Sequence, residues 1–247
     1  MHERNIFLNL SPLDHRYYLS NQEEHEKLAQ YLSEEASIRY CVKVEIALLF
    51  ELIDQTQKNK NEVAVLKQQL VGLEDRIEPQ EVYTEEIKTQ HNIRALVNVL
   101  KRKVSPEIAR LVHLGATSVD ILDTAFSLRI KDAIRLGVLP ILLELEETLI
   151  EVAEKEASTV QVGRTHGQFA VPITFGFAMA EYVSRLGKSI ERIEVKSKDL
   201  RGKLAGAVGA YNATSMITKD PAAFEAKVLT GLGLKPSEHR QSQYLAP

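Results

Sequence analysis

Cysteine and long hydrophobic runs are scarce in this sequence, and its net charge is small. The 247 residues contain one cysteine, Cys41, which excludes an internal disulfide and any metal site built from several cysteines. No apolar run reaches the ~18 residues that a membrane-spanning helix needs, and no apolar segment of a signal peptide follows the polar N-terminus. A net charge of −3 gives no general attraction to nucleic acid or to an anionic membrane. We therefore expect a cytoplasmic protein without nucleic-acid or membrane partners, in which local cations hold any anionic ligand.

Hydrophobic residues recur at helical spacing along most of the chain. Residues 33–56 predict a helix buried over much of its circumference, residues 84–103 a second helix, and residues 119–160 a long run that Pro140 breaks or bends. Apolar residues between 179 and 200 recur in steps of four and three, a narrow seam that serves packing within a bundle or association. Because no continuous strand pattern is present, the sequence predicts an all-α fold of long helices.

The most reactive stretch lies between two of these helical patterns, at residues 162–176. It places Arg164, Thr165, His166 and Gln168 close together, groups that bind anions or move protons. Loops that rigid elements position often carry function. We interpret this stretch as a substrate loop with His166 as a catalytic residue. The alternative is a polar loop whose histidine is a buried, satisfied hydrogen-bonding group.

A second polar cluster lies on the 84–103 pattern, where Lys88, Thr89, Gln90, His91 and Asn92 follow one another beside an apolar stripe. It predicts either a ligand-facing group centred on His91 or simply a solvated helix face.

Two further short motifs suit anions. Thr117 and Ser118 follow a helix-breaking glycine and begin a new helix, where unpaired N–H groups and the helix dipole favour a carboxylate. The alternative is that Ser118 only caps the helix, with Asp120 in the first turn. Near the N-terminus, Arg16 and Tyr17 offer a guanidinium and a phenol suited to a phosphate, although such pairs often serve packing alone.

These strings together resemble one protein family. Gly-Arg-Thr-His-Gly-Gln at residues 163–168, followed by Pro-Ile-Thr-Phe-Gly, and Gly-Ala-Thr-Ser-Val-Asp at residues 115–120 resemble conserved regions of the fumarase/aspartase superfamily. Ser-Pro-Leu-Asp-His-Arg-Tyr at residues 11–17 and Lys-Thr-Gln-His at residues 88–91 resemble its adenylosuccinate lyase branch. Within that pattern, Asn92 replaces the usual aspartate, which leaves the role of Asn92 open.

The resemblance implies a homotetramer of long helices that eliminates fumarate from adenylosuccinate, giving AMP, and from succinyl-aminoimidazole-carboxamide ribotide in purine biosynthesis. It implies an N-terminal helical domain over residues 1–112 and the start of a central helical bundle over residues 113–247. No metal or organic cofactor is implied. The implied catalytic residues are His166, as general acid, and His91. The implied substrate-binding residues are Arg16, Tyr17, Lys88, Thr117, Ser118, Thr165 and Gln243.

One expected motif is missing. In this family the general base is a serine on a Gly-Ser-Ser-x-Met-Pro-x-Lys-x-Asn-Pro loop, and the 247 residues contain no such stretch. The chain therefore resembles the N-terminal portion of such an enzyme, and we expect it to be inactive alone. Two other interpretations stay open: a relative with a different substrate, such as a carboxymuconate cycloisomerase, and an inactive helical scaffold.

Overall fold

A computed structural model describes residues 16–57 and 59–238. The chain forms two compact units: the first comprises residues up to Ile130 and from Leu200, and the second comprises Lys131–Asp199. The domain division at residues 112 and 113 remains a prediction. In chain order, the helices and strands are α1 (Arg16–Ser20), α2 (Gln22–Leu32), α3 (Glu34–Thr56), α4 (Lys60–Leu70), α5 (Pro79–Thr89), α6 (Asn92–Lys103), α7 (Pro106–Ala109), α8 (Ser118–Ala133), α9 (Leu139–Lys155), β1 (Val160–Thr165), β2 (Gln168–Thr174), α10 (Phe175–Lys198), β3 (Arg201–Gly202), α11 (Pro221–Gly231) and β4 (Lys235–Pro236).

The predicted all-α class is confirmed, since each of the two sheets in the described part of the chain has only two strands. None of the described helices is both long enough and apolar enough to cross a bilayer.

Helix α3 is the centre of the hydrophobic core of the first unit. The Ser33 hydroxyl caps it by accepting a hydrogen bond from the Ala36 N–H at 3.1 Å. Apolar side chains of α3 are buried around most of the helix, among them Val42, Leu49 and Ile53, each 0% exposed. Side chains of α5, α6, α8 and α11 complete this core.

The single helix predicted for residues 84–103 is wrong, because the chain turns back between α5 and α6. Gln90 has a left-handed backbone conformation, with φ at 52°, and ends α5. The two helices run antiparallel, and their side chains pair across the contact: Asn98 donates to Glu85 at 2.9 Å, and Lys103 lies 2.8 Å from Glu81. His91 therefore lies at the start of a helix and not on the face of one.

The long helical run continues through Pro140 and does not end there. A π-helical turn, Ile134–Val138, joins α8 to α9, and the Leu139 N–H donates to the Ile134 carbonyl five residues back. Proline has no N–H and its ring crowds the carbonyl four residues before it, so a wider turn accommodates the ring.

The second unit contains α9, α10 and the hairpin of β1 and β2. Helices α9 and α10 pack closely where Gly176 meets the backbone of Ala153 and Ala157, and where Gly187 meets the Glu146 carboxylate. Ile190, on the predicted seam, is 7% exposed, so at least part of the seam packs within this unit. No residue of α9 is buried.

Candidate active site

His166 lies at the tip of a β-hairpin, where a loop was predicted. Strands β1 and β2 pair antiparallel, with Thr165 opposite Gln168, and leave His166 and Gly167 as the two turn residues. Their φ angles, 50° and 73°, are both positive, which is the signature of a type I′ turn. Histidine is one of the few residue types enriched in that conformation.

The His166 side chain is exposed and makes no hydrogen bond within the described part of the chain. The interpretation of a buried, satisfied histidine is therefore wrong. Its neighbours on the hairpin are also exposed: Phe169 is 77% exposed and Val171 is 74% exposed, while the Arg164 guanidinium lies 5.5 Å from the centre of the Phe169 ring. The hairpin therefore presents an imidazole, a cation and uncovered apolar side chains together.

His91 begins α6 and caps it with its own side chain. The Arg94 N–H donates to His91 Nδ1 at 3.2 Å, and the Thr89 hydroxyl donates to the His91 carbonyl at 3.0 Å. Because Nδ1 accepts a hydrogen bond, the neutral ring carries its proton on Nε2. The exposed edge of His91 is thus a hydrogen-bond donor. Lys88, one turn earlier, is 71% exposed and lies 3.8 Å from the Glu85 carboxylate.

Thr117 and Ser118 lie at the start of α8, and the predicted helix start is correct. Thr117 donates its N–H to the Asp120 carboxylate at 3.0 Å, and its carbonyl accepts from the Asp120 N–H at 3.0 Å. Asp120 therefore closes the first turn. Within the described residues, the N–H groups of Ser118 and Val119 and both hydroxyls have no partner, so they are available to an anion.

Asp120 also anchors a second segment beside this helix start. Its carboxylate accepts from Lys203 Nζ at 2.6 Å and from the N–H groups of Ala205 and Gly206 at 3.3 Å and 3.0 Å. Both Asp120 and Lys203 are buried. The segment that contains Ala205 and Gly206 is thus fixed beside the start of α8.

A second buried carboxylate holds the other end of that segment. Glu225, on α11, accepts from the Leu204 N–H at 2.8 Å and from the Tyr211 hydroxyl at 2.5 Å. The Asp220 carboxylate caps α11 by accepting from the Ala223 N–H at 3.0 Å. The segment between β3 and α11 is therefore held in place by side chains from two helices.

The other candidate residues lie elsewhere. Arg16 and Tyr17 form the exposed first turn of α1, and no hydrogen bond to either side chain is present among the described residues. Gln243 lies outside the described residues. The first unit thus holds three separate groups of candidates, at α1, at the start of α6 and at the start of α8, and the second unit holds Thr165 and His166.

His113 was not recognised from the sequence as a site residue. It lies just before the Thr117 turn with φ at 64°, and its Nδ1 is 2.6 Å from Oε1 of Glu45, a core residue of α3. Glu45 stands out in the sequence as a lone acid inside the apolar stripes of residues 33–56, and this was the available signal. No cluster of three metal-ligating side chains occurs in the described ranges.

The profile of the Lyase family matches residues 14–244, most of the chain. The chain therefore belongs to this family, the fumarase/aspartase superfamily of lyases.

Among its relatives, the adenylosuccinate lyase of Pyrococcus horikoshii is 44% identical over 155 residues, 62% of this chain and 33% of that protein. The adenylosuccinate lyase of Archaeoglobus fulgidus is 32% identical over 227 residues, 92% of this chain and 47% of that protein. A solved structure of β-carboxy-cis,cis-muconate cycloisomerase from Acinetobacter calcoaceticus matches with a TM-score of 0.74 and 27% identity, over 91% of this chain and 52% of that one. The chain spans less than half the length of these two curated relatives.

Proposed function

We propose that this chain is part of an enzyme that eliminates fumarate from adenylosuccinate and from succinyl-aminoimidazole-carboxamide ribotide in purine biosynthesis. The observation that carries the proposal is the 32% identity to an adenylosuccinate lyase across 92% of the chain. The reaction removes a proton beside a carboxylate, passes through a dianionic intermediate, and protonates the departing nitrogen. The residues described above suit three of its requirements.

The first requirement is an acid for the departing nitrogen. An imidazole gives up and takes back a proton near neutral pH, so it suits this role. His166 is exposed at a two-residue turn, without a partner among the described residues that would compete for its ring. A type I′ turn with paired strands on both sides limits how far the histidine can move. We assign the general acid to His166, with Thr165 beside it as a substrate contact.

The second requirement is stabilisation of the developing negative charge. Fixed donors that point to such charge lower the barrier, because they need no reorganisation during the reaction. Ser118 and Thr117 offer hydroxyls, and the start of α8 offers N–H groups that have no partner within residues 16–57 and 59–238. The contacts of Asp120 with Lys203 and Gly206 hold this turn rigid. Gln243 completes the proposed set as a further donor.

The third requirement is a set of cations and donors for the nucleotide phosphate and the carboxylates. His91 presents Nε2–H as a donor, since its Nδ1 is occupied by the Arg94 N–H. This favours a binding role for His91 over proton abstraction. Lys88, Arg16 and Tyr17 are exposed and supply charge and a phenol.

Self-association to a homotetramer belongs to the same proposal. Helix α9 has 17 residues and none is buried, although α10 packs against one of its sides. Apolar side chains remain exposed on both flanks of that contact: Ile141 (36%), Leu143 (52%), Leu145 (47%) and Ile150 (41%). Exposed apolar area costs about 25 cal/mol per Å², so these flanks favour packing against further helices. We propose that α9 of other copies supplies those helices.

The decisive test is release of fumarate from adenylosuccinate, measured by chromatography. We expect no release from the 247-residue chain alone, because the serine loop that supplies the base is not in this sequence. In an enzyme that contains this chain and that loop, His166→Gln should lower kcat by roughly two to four powers of ten, the size of one acid–base group. His166→Asn is the matched variant, since asparagine keeps the left-handed turn but cannot donate the proton. Near-normal turnover of both variants would remove His166 from the mechanism.

The likeness to a muconate cycloisomerase structure supports a second candidate, a relative that acts on another dicarboxylate. That candidate needs Thr117 and Ser118 but not a phosphate site at Arg16 and Tyr17. Calorimetry with AMP and with fumarate separates the two. On the main proposal, Arg16→Ala weakens AMP binding about tenfold or more, and fumarate binding stays the same. Unchanged AMP affinity would favour the second candidate.

Light scattering tests the assembly. Leu143→Glu combined with Ile150→Glu should reduce the mass of the assembly, because both substitutions place charge on an exposed apolar flank. Glu151→Lys, on the polar side of the same helix, is the control and should leave the mass unchanged. A chain that is monomeric before any substitution would contradict the assembly.

A further inference from the structure

Glu45 is a carboxylate inside the hydrophobic core. It lies in the middle of α3, is 0% exposed, and has buried Leu48 and Leu49 on neighbouring turns. A buried carboxylate is strongly disfavoured unless its oxygens are paired. Among the described residues, only Oε1 is paired, with His113 Nδ1 at 2.6 Å, while Oε2 has no partner there. A side chain that only stabilised the fold would not place a carboxylate in the core with one oxygen unpaired.

His113 carries a second unfavourable feature. Its φ of 64° is left-handed, which costs energy for a residue other than glycine. Its side chain is 21% exposed, so the ring reaches from the core to the surface. Its carbonyl accepts from the Ala116 N–H at 3.4 Å, which places it in the turn that leads to Thr117. Strain of this kind persists where the surrounding structure fixes it, and it clusters at functional sites.

The geometry defines what the pair can do. A carboxylate beside Nδ1 accepts its proton in a hydrogen bond, fixes the tautomer, and sets the orientation of the ring. The other ring nitrogen, Nε2, makes no hydrogen bond among the described residues. It is therefore the atom of His113 that remains for a ligand. In the protonated ring, Nε2 donates to an anion while Glu45 balances the charge from inside the core.

We propose that Glu45 is a positioning residue, which holds His113 so that Nε2 meets an anionic group of the ligand bound at Thr117 and Ser118. The identity of that ligand rests on the proposed function, whereas the role of Glu45 rests on the pair itself. Glu45 is too deep in the core to contact the ligand. Its effect on binding must therefore pass through His113.

Nitrogen NMR of the histidine rings in the 247-residue chain tests this. The probes are inorganic phosphate, AMP and fumarate, added in turn. We expect the proton of neutral His113 on Nδ1, and a shift of the Nε2 resonance when an anion binds. Glu45→Gln removes the charge with little change of volume, and should weaken binding of the responding anion at least tenfold. Glu51→Gln, the same substitution on the same helix, should change neither the resonance nor the affinity.

A double-mutant cycle separates positioning from general stability. His113→Gln should weaken binding, and adding Glu45→Gln to it should weaken binding no further. An equal loss from Glu45→Gln in both backgrounds would overturn the proposal, and so would an Nε2 resonance that no anion moves. If Glu45→Gln does not fold, the anion affinity of His113→Gln and the response of the His113 Nε2 resonance to anions still test the proposal. Failure of the proposed function is a separate result: fumarate would not be released by the complete enzyme although His113 responds to anions.

Discussion

Replacing Asp120 by asparagine should destabilise the first unit by about 3–5 kcal/mol, the cost of leaving a buried charge without its partner. The Lys203 ammonium is 5% exposed and would keep only neutral acceptors, the Gly206 carbonyl at 3.1 Å and the asparagine amide oxygen. The amide NH2 would also face N–H donors that now point at carboxylate oxygens. Since domains are stable by only about 5–15 kcal/mol, this loss is a large part of the total.

Replacing Lys203, the other partner of this pair, should lower the free energy of unfolding by less. In Lys203→Met, the Asp120 carboxylate keeps three backbone donors, from Thr117, Ala205 and Gly206. A carboxylate with several N–H donors tolerates burial better than an ammonium with only neutral acceptors. Asp123→Asn, one turn along α8 on an exposed residue, is the matched control and should cost almost nothing. The expected order of destabilisation is therefore Asp120→Asn, then Lys203→Met, then Asp123→Asn.

Urea unfolding followed by far-ultraviolet circular dichroism gives the size of each effect, because the chain contains no tryptophan for fluorescence. Hydrogen exchange locates the effect: the amide protons of Thr117 and Gly206 should exchange faster in Asp120→Asn than in the control. A loss of stability below about 1 kcal/mol for Asp120→Asn would refute the reasoning, because burying an ammonium without its charged partner should cost more than that. Equal effects of Asp120→Asn and Lys203→Met would refute the ranking.

Three further predictions follow from burial and contact. Burial, and next the Glu45 carboxylate, raise the pKa of the Cys41 thiol to about 12, so iodoacetamide should alkylate the folded chain far more slowly than the chain in urea. Gly176→Ala would place a methyl group against the backbone of Ala153 and should destabilise the second unit by about 1–3 kcal/mol in thermal unfolding, more than Gly187→Ala, where the flexible Glu146 side chain can move. Partial burial raises the pKa of Asp123 above its ordinary 3.8, so the folded state binds this proton more tightly than the unfolded state, and the stability that this group contributes falls as pH rises through that window. Asp123→Asn should remove that fall, so unfolding measured at several pH values should show the variant gaining stability relative to the parent chain from acidic toward neutral pH.

The helices of the first unit were predictable wherever their limits are set locally. Ser33 and Asp220 cap α3 and α11 as their sequence positions indicate, because each side chain reaches an N–H only three residues away. Pro140 is an intermediate case. Its disruption of the helix was predictable, but the π-helical turn depends on how neighbouring carbonyls relax.

Other features depend on contacts between distant parts of the chain. The hairpin around His166 was missed because its turn residues are histidine and glycine, whereas asparagine and glycine are the stronger signal. The pairing of Glu45 with His113 joins residues that are far apart in sequence, and no local pattern predicts it. The turn at Gln90 also required structure, since the apolar spacing continues through it as if one helix were present.

The backbone conformations show why the sequence motifs have the form they do. Among the described residues other than glycine, four have a positive φ: Gln90, His113, His166 and Tyr211. Two of them, His113 and His166, carry an imidazole side chain, and a third, Gln90, directly precedes His91. A left-handed residue reverses the chain within one or two positions, so a side chain beside it can stand clear of its own helix or strand. The hydrogen bond from the Arg94 N–H to His91 Nδ1, and the exposed ring of His166, follow from those reversals. Glycine in place of Gln90 would relieve the strain there but loosen the turn that places the His91 ring, whereas glycine in place of His113 or His166 would remove the imidazole itself. Backbone strain at these positions is therefore tied to the placement of an imidazole.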